Sequence, residues 1–586
     1  MPTTAVPVTV IDDTYAPVTI PAGTLSGSLS VKVLRQMTNP AVWVGGVLPV
    51  VPVLPSAEDQ MVSDAIGAGG LTDAELAATY ESFLSPSGGD DGAQINAALN
   101  AGGGTVPTTV TLRGGTFTVG GGVLQANGAF LSQPSNTTLI LKGATLRLGN
   151  AAGSPALMNA HPTPTGTPVD VNLAIVGVGN ATIDGNAVNN PHIAGNLTQW
   201  KSNTVMYVGV TGFDIADITI LNPSAWGFSP QNCTDWTFKR VASSCDSSTT
   251  NQSPIQAYGT NTRFAIDGIT GNSQDDGVAL LTYTKQQTGA FVYPTSGSVY
   301  PGGNITAWSV NNLVGIFGNS AGGAFRMICG DGSKIQHGTV KHIRNFSSNP
   351  WYAIQFGPNS YVTTPAASTD LEDITIDDIA ASAWSVFLSI GQSCSDIRAT
   401  NLTPQGSSNA VPTLVGNGDG STITVSNFSV DGVHYHCPCP TGRLVKFPAG
   451  STVSNLSVRN VEIPQLLRVL ENGGAVTGLA LSGIHIGELR QRMSLSTVAE
   501  TGTMDSVQVD TFSGVANYSC TMWAGAPAQK LRLTNVPGFT TGDVAPLPTL
   551  GSQVNSDATL VLDGGAATAA LYAGGPTTWA RLVNTA

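Results

Sequence analysis

Charged and aromatic residues are both scarce in this sequence. Asp, Glu, Lys and Arg make up 10% of the 586 residues, and Phe, Trp and Tyr make up 6%. Long surface helices would bring many more Glu and Lys residues, so the scarcity of charge argues against a mainly helical protein. A disordered chain would be poor in aliphatic residues, which the hydrophobic share of 41% excludes. The polar surface must consist of Ser, Thr, Asn, Gln and Gly, which suit strands joined by tight turns.

Basic residues are fewer than acidic residues. The chain has 24 Lys and Arg against 37 Asp and Glu, for a formal net charge of −13 at pH 7. An acidic protein repels a phosphate backbone, so we expect no nucleic-acid partner. The same repulsion means that a highly acidic glycan would need a local basic site.

Long apolar runs and a cysteine framework are missing as well. The best apolar stretch, residues 42–54, is interrupted by Gly45, Gly46 and Pro49, so no membrane insertion is expected. The N-terminal residues MPTTAVPVTVIDD lack the basic and apolar regions of a signal peptide, which predicts cytoplasmic synthesis and exit by a route such as lysis. Seven widely spaced cysteines are an odd number, and we expect them to be reduced, buried thiols.

The chain divides into four segments. Residues 1–55 contain short apolar strands between Pro and Gly residues, which predicts a small β domain. Residues 56–88 carry apolar residues at helical spacing and predict a helical neck. Residues 89–510 begin with a short helix that leads into strands and contain a repeat. Residues 511–586 lose the repeat and predict a C-terminal β cap that could also mediate oligomerisation.

A five-residue pattern recurs through the third segment. It reads polar, then Asn, Asp or Gly, then apolar, small polar and apolar. Copies are ADITI at 216–220, TDWTF at 234–238, EDITI at 372–376, SDIRA at 395–399, SNFSV at 426–430, SNLSV at 454–458 and TGLAL at 477–481. The last five are spaced by 23, 31, 28 and 23 residues, which is typical of one turn of a parallel β-helix. The apolar positions should face inwards, and the Asn or Asp suits a corner with a left-handed backbone.

Several motifs resemble known β-helix families. Residues 90–106 followed by RGGTFTV resemble the opening of the pectate-lyase-like superfamily found in phage tail proteins. The stretches at 213–228, 233–241 and 271–280 resemble consecutive turns of polygalacturonase-type glycoside hydrolases. The resemblance covers roughly residues 90–500 and implies an all-β, right-handed, single-stranded parallel β-helix.

The order of the four segments is similar to that of phage tailspikes and minor tail proteins. That resemblance implies a homotrimer in the tail of the virion, attached to other tail proteins through the N-terminal domain. It also implies that the protein binds, and in some relatives cleaves, a glycan of the host cell wall or surface.

The polygalacturonase resemblance identifies candidate catalytic residues. In that family an Asn-Thr-Asp and an Asp-Asp supply three carboxylates, followed by Gly-His-Gly and Arg-Ile-Lys. Here Asp275 and Asp276 match the Asp pair, whereas Ser253 occupies the place of the third carboxylate. No Gly-His-Gly follows, and the stretch beginning at Arg326 matches Arg-Ile-Lys only in part.

Asp275 and Asp276 are the strongest candidates for chemistry on the residues alone, with Asp246 as a possible third carboxylate. Glycoside hydrolysis needs two carboxyl groups, and neighbouring Gln and Gly residues make a turn plausible in which both face one groove. A glycan- or cation-binding pair and a solvated corner are the alternatives, since Asp is a common turn residue.

Two further groups of residues could bind a sugar. Tyr283, Tyr293 and Tyr300 lie in or beside the insert at 281–303, and aromatic faces stack on sugar rings. Contacts between turns or subunits are the alternative role for these tyrosines. Arg326, Asp331 and Lys334 could bind an acidic sugar, or they could form an ion-paired turn.

His434 and His436 are candidate metal ligands within the sequence HYHCPC. Residues two apart share a strand face, so three such pairs in a trimer could surround an axial metal. A loop packed by aromatic and thiol groups is the alternative, and we expect no other cofactor.

The sequence leaves more than one function open. The first is a phage tail fibre or tailspike that adheres to a host surface glycan. The second is an endo-acting polysaccharide depolymerase, a hydrolase or lyase, on the same scaffold. A purely structural tail component is the third.

Overall fold

A computed structural model describes residues 80–190, 203–246, 249, 251–284, 302–320, 322–348, 350–405, 413–490, 494–496 and 500–512, with four short strands beyond. The predicted N-terminal β domain at 1–55 lies outside these residues, as does the predicted neck up to residue 79. Within the described ranges the chain is almost entirely β-strand, with one α-helix, α1 (Gly92–Leu99), and one 3₁₀ turn at Asn359–Tyr361. None of the described helices has the length and apolar character needed to cross a membrane.

The described strands follow one another along the whole coil. Those before residue 303 are β1 (Tyr80–Leu84), β2 (Thr108–Val119), β3 (Leu131–Gln133), β4 (Thr137–Leu148), β5 (Leu157–Asn159), β6 (Asp170–Val178), β7 (Thr182–Asp184), β8 (Asn203–Val208), β9 (Val210–Ala216), β10 (Thr219–Leu221), β11 (Trp226–Ser244), β12 (Ser253–Asn272) and β13 (Val278–Thr282). Those after it are β14 (Asn304–Ile316), β15 (Gly323–Cys329), β16 (Lys334–Asn345), β17 (Tyr352–Phe356), β18 (Leu371–Ser382), β19 (Val386–Ile390), β20 (Cys394–Gln405), β21 (Thr413–Gly416), β22 (Thr424–His434), β23 (Cys439–Phe447), β24 (Thr452–Asn472), β25 (Ala475–Leu489), β26 (Ser494–Ser496), β27 (Glu500–Phe512), β28 (Ala528–Leu533), β29 (Thr559–Asp563), β30 (Ala569–Gly574) and β31 (Trp579–Thr585).

Successive turns of the chain pair in parallel, as the repeat predicted. Ile374 pairs with Ile397, Ile397 with Phe428, and Phe428 with Leu456, which reproduces the spacings of 23, 31 and 28 residues. The long strands β14, β16, β18, β20 and β22 form one ladder, and the short strands β13, β15, β17, β19, β21 and β23 form another. The predicted right-handed parallel β-helix is confirmed.

A single apolar core fills the coil. One cluster of buried side chains extends from Ile95 to Val509, with Ile374 and Ile376 inside while Thr375 between them is half-buried. Aromatic rings stack from turn to turn, as where Trp236 lies 4.1 Å from Phe264 between ring centroids. Identical alternation on each turn places apolar groups above one another, and their burial is the main favourable contribution to the fold.

Two columns of left-handed residues shape the long strands. From β11 to β25 each long strand contains a pair of positive-φ residues five positions apart, such as Asp373 with Asp378 and Asn455 with Asn460. Asn, Asp and Gly dominate these positions because they tolerate this backbone conformation. All seven copies of the repeat have a left-handed second residue, which confirms the predicted corner. ADITI at 216–220 differs in one respect, since its Asp217 stands in the second column.

The two ends of the coil are closed differently. Near the N-terminus α1 packs over the first turn, burying Ile95 and Leu99. Residues 80–84, which the sequence assigned to the helical neck, instead form β1 and pair in parallel with β2, because the open edge of β2 offers hydrogen bonds to the backbone groups on one side of that segment. Towards the C-terminus parallel pairing continues through β28 and β29, and β30 and β31 then pair antiparallel.

Candidate functional site

Asp275 and Asp276 lie in the short turn between β12 and β13. The backbone N–H of Asp275 donates to the Gln252 carbonyl on the preceding turn at 3.0 Å, and Gly318 on the following turn donates to the Asp275 carbonyl at 2.9 Å. The Ser273 hydroxyl also donates to that carbonyl, at 2.5 Å. The Asp pair is therefore fixed between two neighbouring turns of the coil.

Both carboxyl groups lie on the same side of this turn. A Cβ atom built on Gly322 would be 2.7 Å from Oδ1 of Asp275 and 2.7 Å from Oδ1 of Asp276. Gly322 also has a φ of +83°, so a larger residue there would be strained and would collide with both acids. The turn thus brings the two carboxyl groups close together, with Asp275 partly exposed and Asp276 fully buried.

The Asp276 carboxylate is fully buried, accepts two hydrogen bonds and forms one ion pair. Its Oδ1 accepts hydrogen bonds from the Tyr352 hydroxyl at 2.7 Å and the Gly323 N–H at 3.0 Å. Its Oδ2 lies 3.1 Å from Nη1 of Arg326. Burial raises the pKa of Asp276, and the Arg326 charge, Tyr352 and Gly323 oppose that rise.

Asp275 is partly exposed, unlike Asp276, and its pKa is raised as well. Burial and the adjacent Asp276 carboxylate raise the pKa of Asp275 to about 7. At neutral pH this group is divided between its protonated and charged forms, so it can both donate and accept a proton. A carboxyl group with these properties can act as a general acid on a glycosidic oxygen.

Arg326 belongs to a row of residues on the outer face of the short-strand ladder. Arg326, Gln355, Ser389, Gly416, Lys446 and Glu471 are paired in register from β15 to β24. The residues just before them, such as Phe325 and Ile354, are fully buried in the core. Alternation therefore directs the row away from the core. Within it, Nε of Arg326 donates to Oε1 of Gln355 at 2.9 Å.

Tyrosines lie beyond the C-terminal ends of the short strands, opposite to the end at which the Asp pair lies. Tyr283 directly follows β13 and lies 6.5 Å from Tyr258 and 6.4 Å from Tyr361 between ring centroids. Burial raises the pKa of Tyr283, so its hydroxyl stays protonated and can donate a hydrogen bond. Tyr293 and Tyr300 lie outside the described residues.

The other predicted acidic and basic residues have separate positions. Asp246 lies at the same corner one turn before the Asp pair, after β11. Asp331 accepts hydrogen bonds from the backbone N–H groups of Thr284, Thr363 and Thr364, which ties two loops together. Nζ of Lys334 lies 4.0 Å from Oδ1 of Asp370. Among the predicted binding residues, the structure brings Arg326 to the Asp pair, places Asp331 in the turn after β15 and places Lys334 at the start of β16.

His434 is the last residue of β22, and His436 lies two residues beyond it. Their ring centroids are 5.7 Å apart, and Nδ1 of His434 is 2.9 Å from a Glu462 oxygen on the next turn. Over the described part of the chain, no three His, Cys, Asp or Glu side chains form a group that could hold a metal ion. The metal site stays a prediction.

Sequence reasoning missed Tyr352 and Gln355, which contact the Asp276–Arg326 pair. Neither belongs to a recognised motif, and both reach the site only because β17 pairs with β15. The exposed Trp351 and Trp384 lie at the same corner as the Asp pair, on the second and third turns beyond it. Sequence alone does not separate such exposed tryptophans from core residues.

Comparisons with known proteins give only distant matches. No protein-family model matches the chain, and neither does any curated protein. Among solved structures, the tailspike protein of E. coli bacteriophage HK620 in complex with a pentasaccharide is 12% identical, with 85% of this chain and 84% of that chain covered and a TM-score of 0.48. A family 28 exopolygalacturonase of Yersinia enterocolitica is 12% identical, with 77% and 78% covered and a TM-score of 0.37. An endo-xylogalacturonan hydrolase of Aspergillus tubingensis is 13% identical, with 66% and 95% covered and a TM-score of 0.38.

Likeness at this level extends at most to the fold. The class of the protein follows from its own strand pairing and continuous core, which define a parallel β-helix protein. A function for it has to be argued from the site.

Proposed function

We propose that this protein is a phage tail fibre or tailspike that binds a host surface polysaccharide on the outer face of the short-strand ladder and cleaves it at Asp275. The observation that carries the proposal is the raised pKa of Asp275, about 7, in a partly exposed turn beside the Asp276–Arg326 pair. Perturbed carboxyl groups of this kind are concentrated at functional sites.

The residues of the site have distinct roles in this proposal. Asp275 donates a proton to the leaving glycosidic oxygen, water adds to the anomeric carbon, and the proton that this water loses passes to solvent. The Asp276 carboxylate, fixed by Arg326 and Tyr352, keeps a negative charge close by and holds the Asp275 proton near neutral pH. Polar side chains of the outward row, beginning with Arg326 and Gln355, hold the saccharide. The comparison with a tailspike that binds a pentasaccharide agrees with this type of ligand but adds no argument about the site.

New reducing ends provide the test. Incubation with host surface polysaccharide should release them, and Asp275→Asn should reduce the rate at least about 100-fold, because general acid catalysis typically contributes that much. Activity should fall as pH rises through about 7, since the acid must be protonated. Asp396→Asn is the matched control: it changes an exposed corner Asp that accepts from Asn427, far along the chain from the site. An Asp275→Asn variant with the activity of the wild type would exclude this mechanism.

Adhesion without cleavage is the second candidate, and the complete burial of Asp276 favours it. A carboxylate that already has three partners is not free to serve as the second catalytic group. In that case the polysaccharide would bind with no release of reducing ends, and Asp275→Asn would change affinity alone.

The proposed assembly is a homotrimer in the phage tail, attached through the N-terminal domain to other tail proteins. It is supported by the order of segments in the sequence. Sedimentation analysis of the full chain should give the mass of three 59.9 kDa chains. A monomer over the whole micromolar range would contradict the trimer without affecting the glycan site.

A further inference from the structure

We infer that the glycan is anionic and that Arg443, Lys446 and Arg468 bind its acidic group at the C-terminal end of the outward row. This inference rests on the proposed function, because it names the chemistry of the same ligand.

Three cations surround one carboxylate in this cluster. Glu471 has one oxygen 2.8 Å from Nε of Arg443 and 2.5 Å from Nη1 of Arg468, and the other oxygen 3.7 Å from Nζ of Lys446. All four side chains are partly exposed, and Lys446 is the most exposed of them. The four groups together carry two positive charges in excess, and the three cations lower the pKa of Glu471 against the effect of burial.

This excess of Lys and Arg over carboxylates distinguishes the cluster around Glu471 from the other ion pairs of the described residues. Each of the other Lys or Arg ion pairs in the described ranges joins one such cation to one carboxylate, as in Arg240 with Asp217 and Arg263 with Asp235. The chain as a whole has a net charge of −13. A local positive excess on an acidic protein attracts anions to one spot, and guanidinium groups match the geometry of carboxylate and phosphate.

The cluster lies on the same row as the candidate site. Lys446 pairs in register with Gly416, which continues through Ser389 and Gln355 to Arg326. Four steps between neighbouring strands place Lys446 about 19 Å from Arg326. Gly416 and Ser389 between them are small and buried, so polar contacts to one saccharide chain lying along the row would come from its two ends, at the Asp275 site and at the cluster.

The cluster recognises an anionic group, which a glycan can carry as a uronic acid carboxylate or as a phosphodiester. Calorimetric titration of the full-length protein can compare three probes: an oligogalacturonate, a poly(glycerol phosphate) and a neutral malto-oligosaccharide. We expect one of the anionic probes to bind more tightly than the neutral one, and its affinity to fall as salt is raised. The anionic probe that binds identifies the acidic group.

Two substitutions with opposite effects on charge test the cluster itself. Lys446→Gln should lower the affinity for the anionic probe about three- to tenfold and leave the affinity for the neutral probe unchanged. Glu471→Gln removes the carboxylate that the three cations share and should strengthen binding of the anionic probe by a similar factor. Arg263→Gln is the control, since it removes an exposed cation with its own partner on the long-strand ladder. Thermal unfolding of each variant verifies that the coil is intact.

The outcomes separate the inference from the proposed function. If neither anionic probe binds, or if Lys446→Gln weakens neutral and anionic probes equally, the inference is wrong. Cleavage of host polysaccharide that depends on Asp275 would then still support the proposed function. If host polysaccharide binds through the cluster but no reducing ends form, the inference holds and the cleavage step is wrong.

Discussion

At the scale of single residues, the two neighbouring acids of the site differ in their surroundings. Asp276 has two hydrogen-bond donors, one ion pair and no exposure, whereas Asp275 is partly exposed and has a pKa of about 7. The sequence singled out the pair and Arg326 through the family resemblance. It could not predict that Tyr352 and Gln355 join them, because those contacts depend on how β17 pairs with β15.

The pKa of Asp275 predicts how stability depends on pH. The folded protein holds this proton up to about pH 7, whereas the unfolded chain releases it near the ordinary value of 3.8. The folded state therefore binds more protons between these values, and the free energy of unfolding decreases as pH rises from about 4 to about 7. Asp275→Asn removes this decrease. The free energy of unfolding of the variant should therefore rise, relative to that of the wild type, when the pH is changed from 5 to 8. Chemical denaturation at both pH values measures the difference. If variant and wild type differ by the same free energy of unfolding at pH 5 and at pH 8, the pKa of Asp275 is not raised in the folded protein.

Arg326 should be needed for stability as well as for binding. Arg326→Met leaves the Asp276 carboxylate buried without its cation, which typically costs about 3–5 kcal/mol. Adding Asp276→Asn to that variant removes the buried charge and should restore part of the loss. Arg240→Gln, at an exposed pair, should cost less than about 1 kcal/mol. Denaturant unfolding of the four proteins gives these values, and an Arg326→Met variant as stable as the wild type would contradict the ion pair.

At the scale of the strand, the left-handed columns explain why the repeat is visible in the sequence. Each long strand must bend twice, and only Asn, Asp or Gly bends there at low cost, so these residues recur. Their side chains also bond along the column, as Nδ2 of Asn455 does to Oδ1 of Asn427 at 3.0 Å. Neither column is uniform, since Arg263, Ala307 and His337 stand in the first and Arg240 and His342 stand in the second.

Substitution at one column position tests this explanation. Asn455 has a φ of +54°, so Asn455→Val should destabilise the coil by about 1–2 kcal/mol, because a β-branched residue does not tolerate that conformation. Asn455→Gly should cost less, since glycine adopts it freely. Ser457→Val, two positions along the same strand with a half-buried side chain, is the control and should have little effect. Equal unfolding free energies for the Val and Gly variants at 455 would contradict the account.

At the scale of the whole molecule, the fold was more predictable than the site. Core residues repeat at the spacing of the turns, so a periodic sequence reveals the coil, and 23, 31 and 28 residues proved to be the true registers. The neck prediction failed at β1 because helical spacing over a few residues does not compete with the open edge of a ladder. The basic cluster has no periodic signature, since Arg443 and Arg468 become neighbours only through the pairing of β23 with β24.

The central claim is that one outward face of the coil holds a glycan from the Asp275 site to the basic cluster. A crystal structure of the Asp275→Asn variant with fragments of host surface polysaccharide tests it most directly. The account predicts a saccharide lying across β15 to β23, with contacts to Arg326 near one end and to Lys446 near the other. A saccharide bound only on the long-strand ladder, or away from both of these residues, would contradict it.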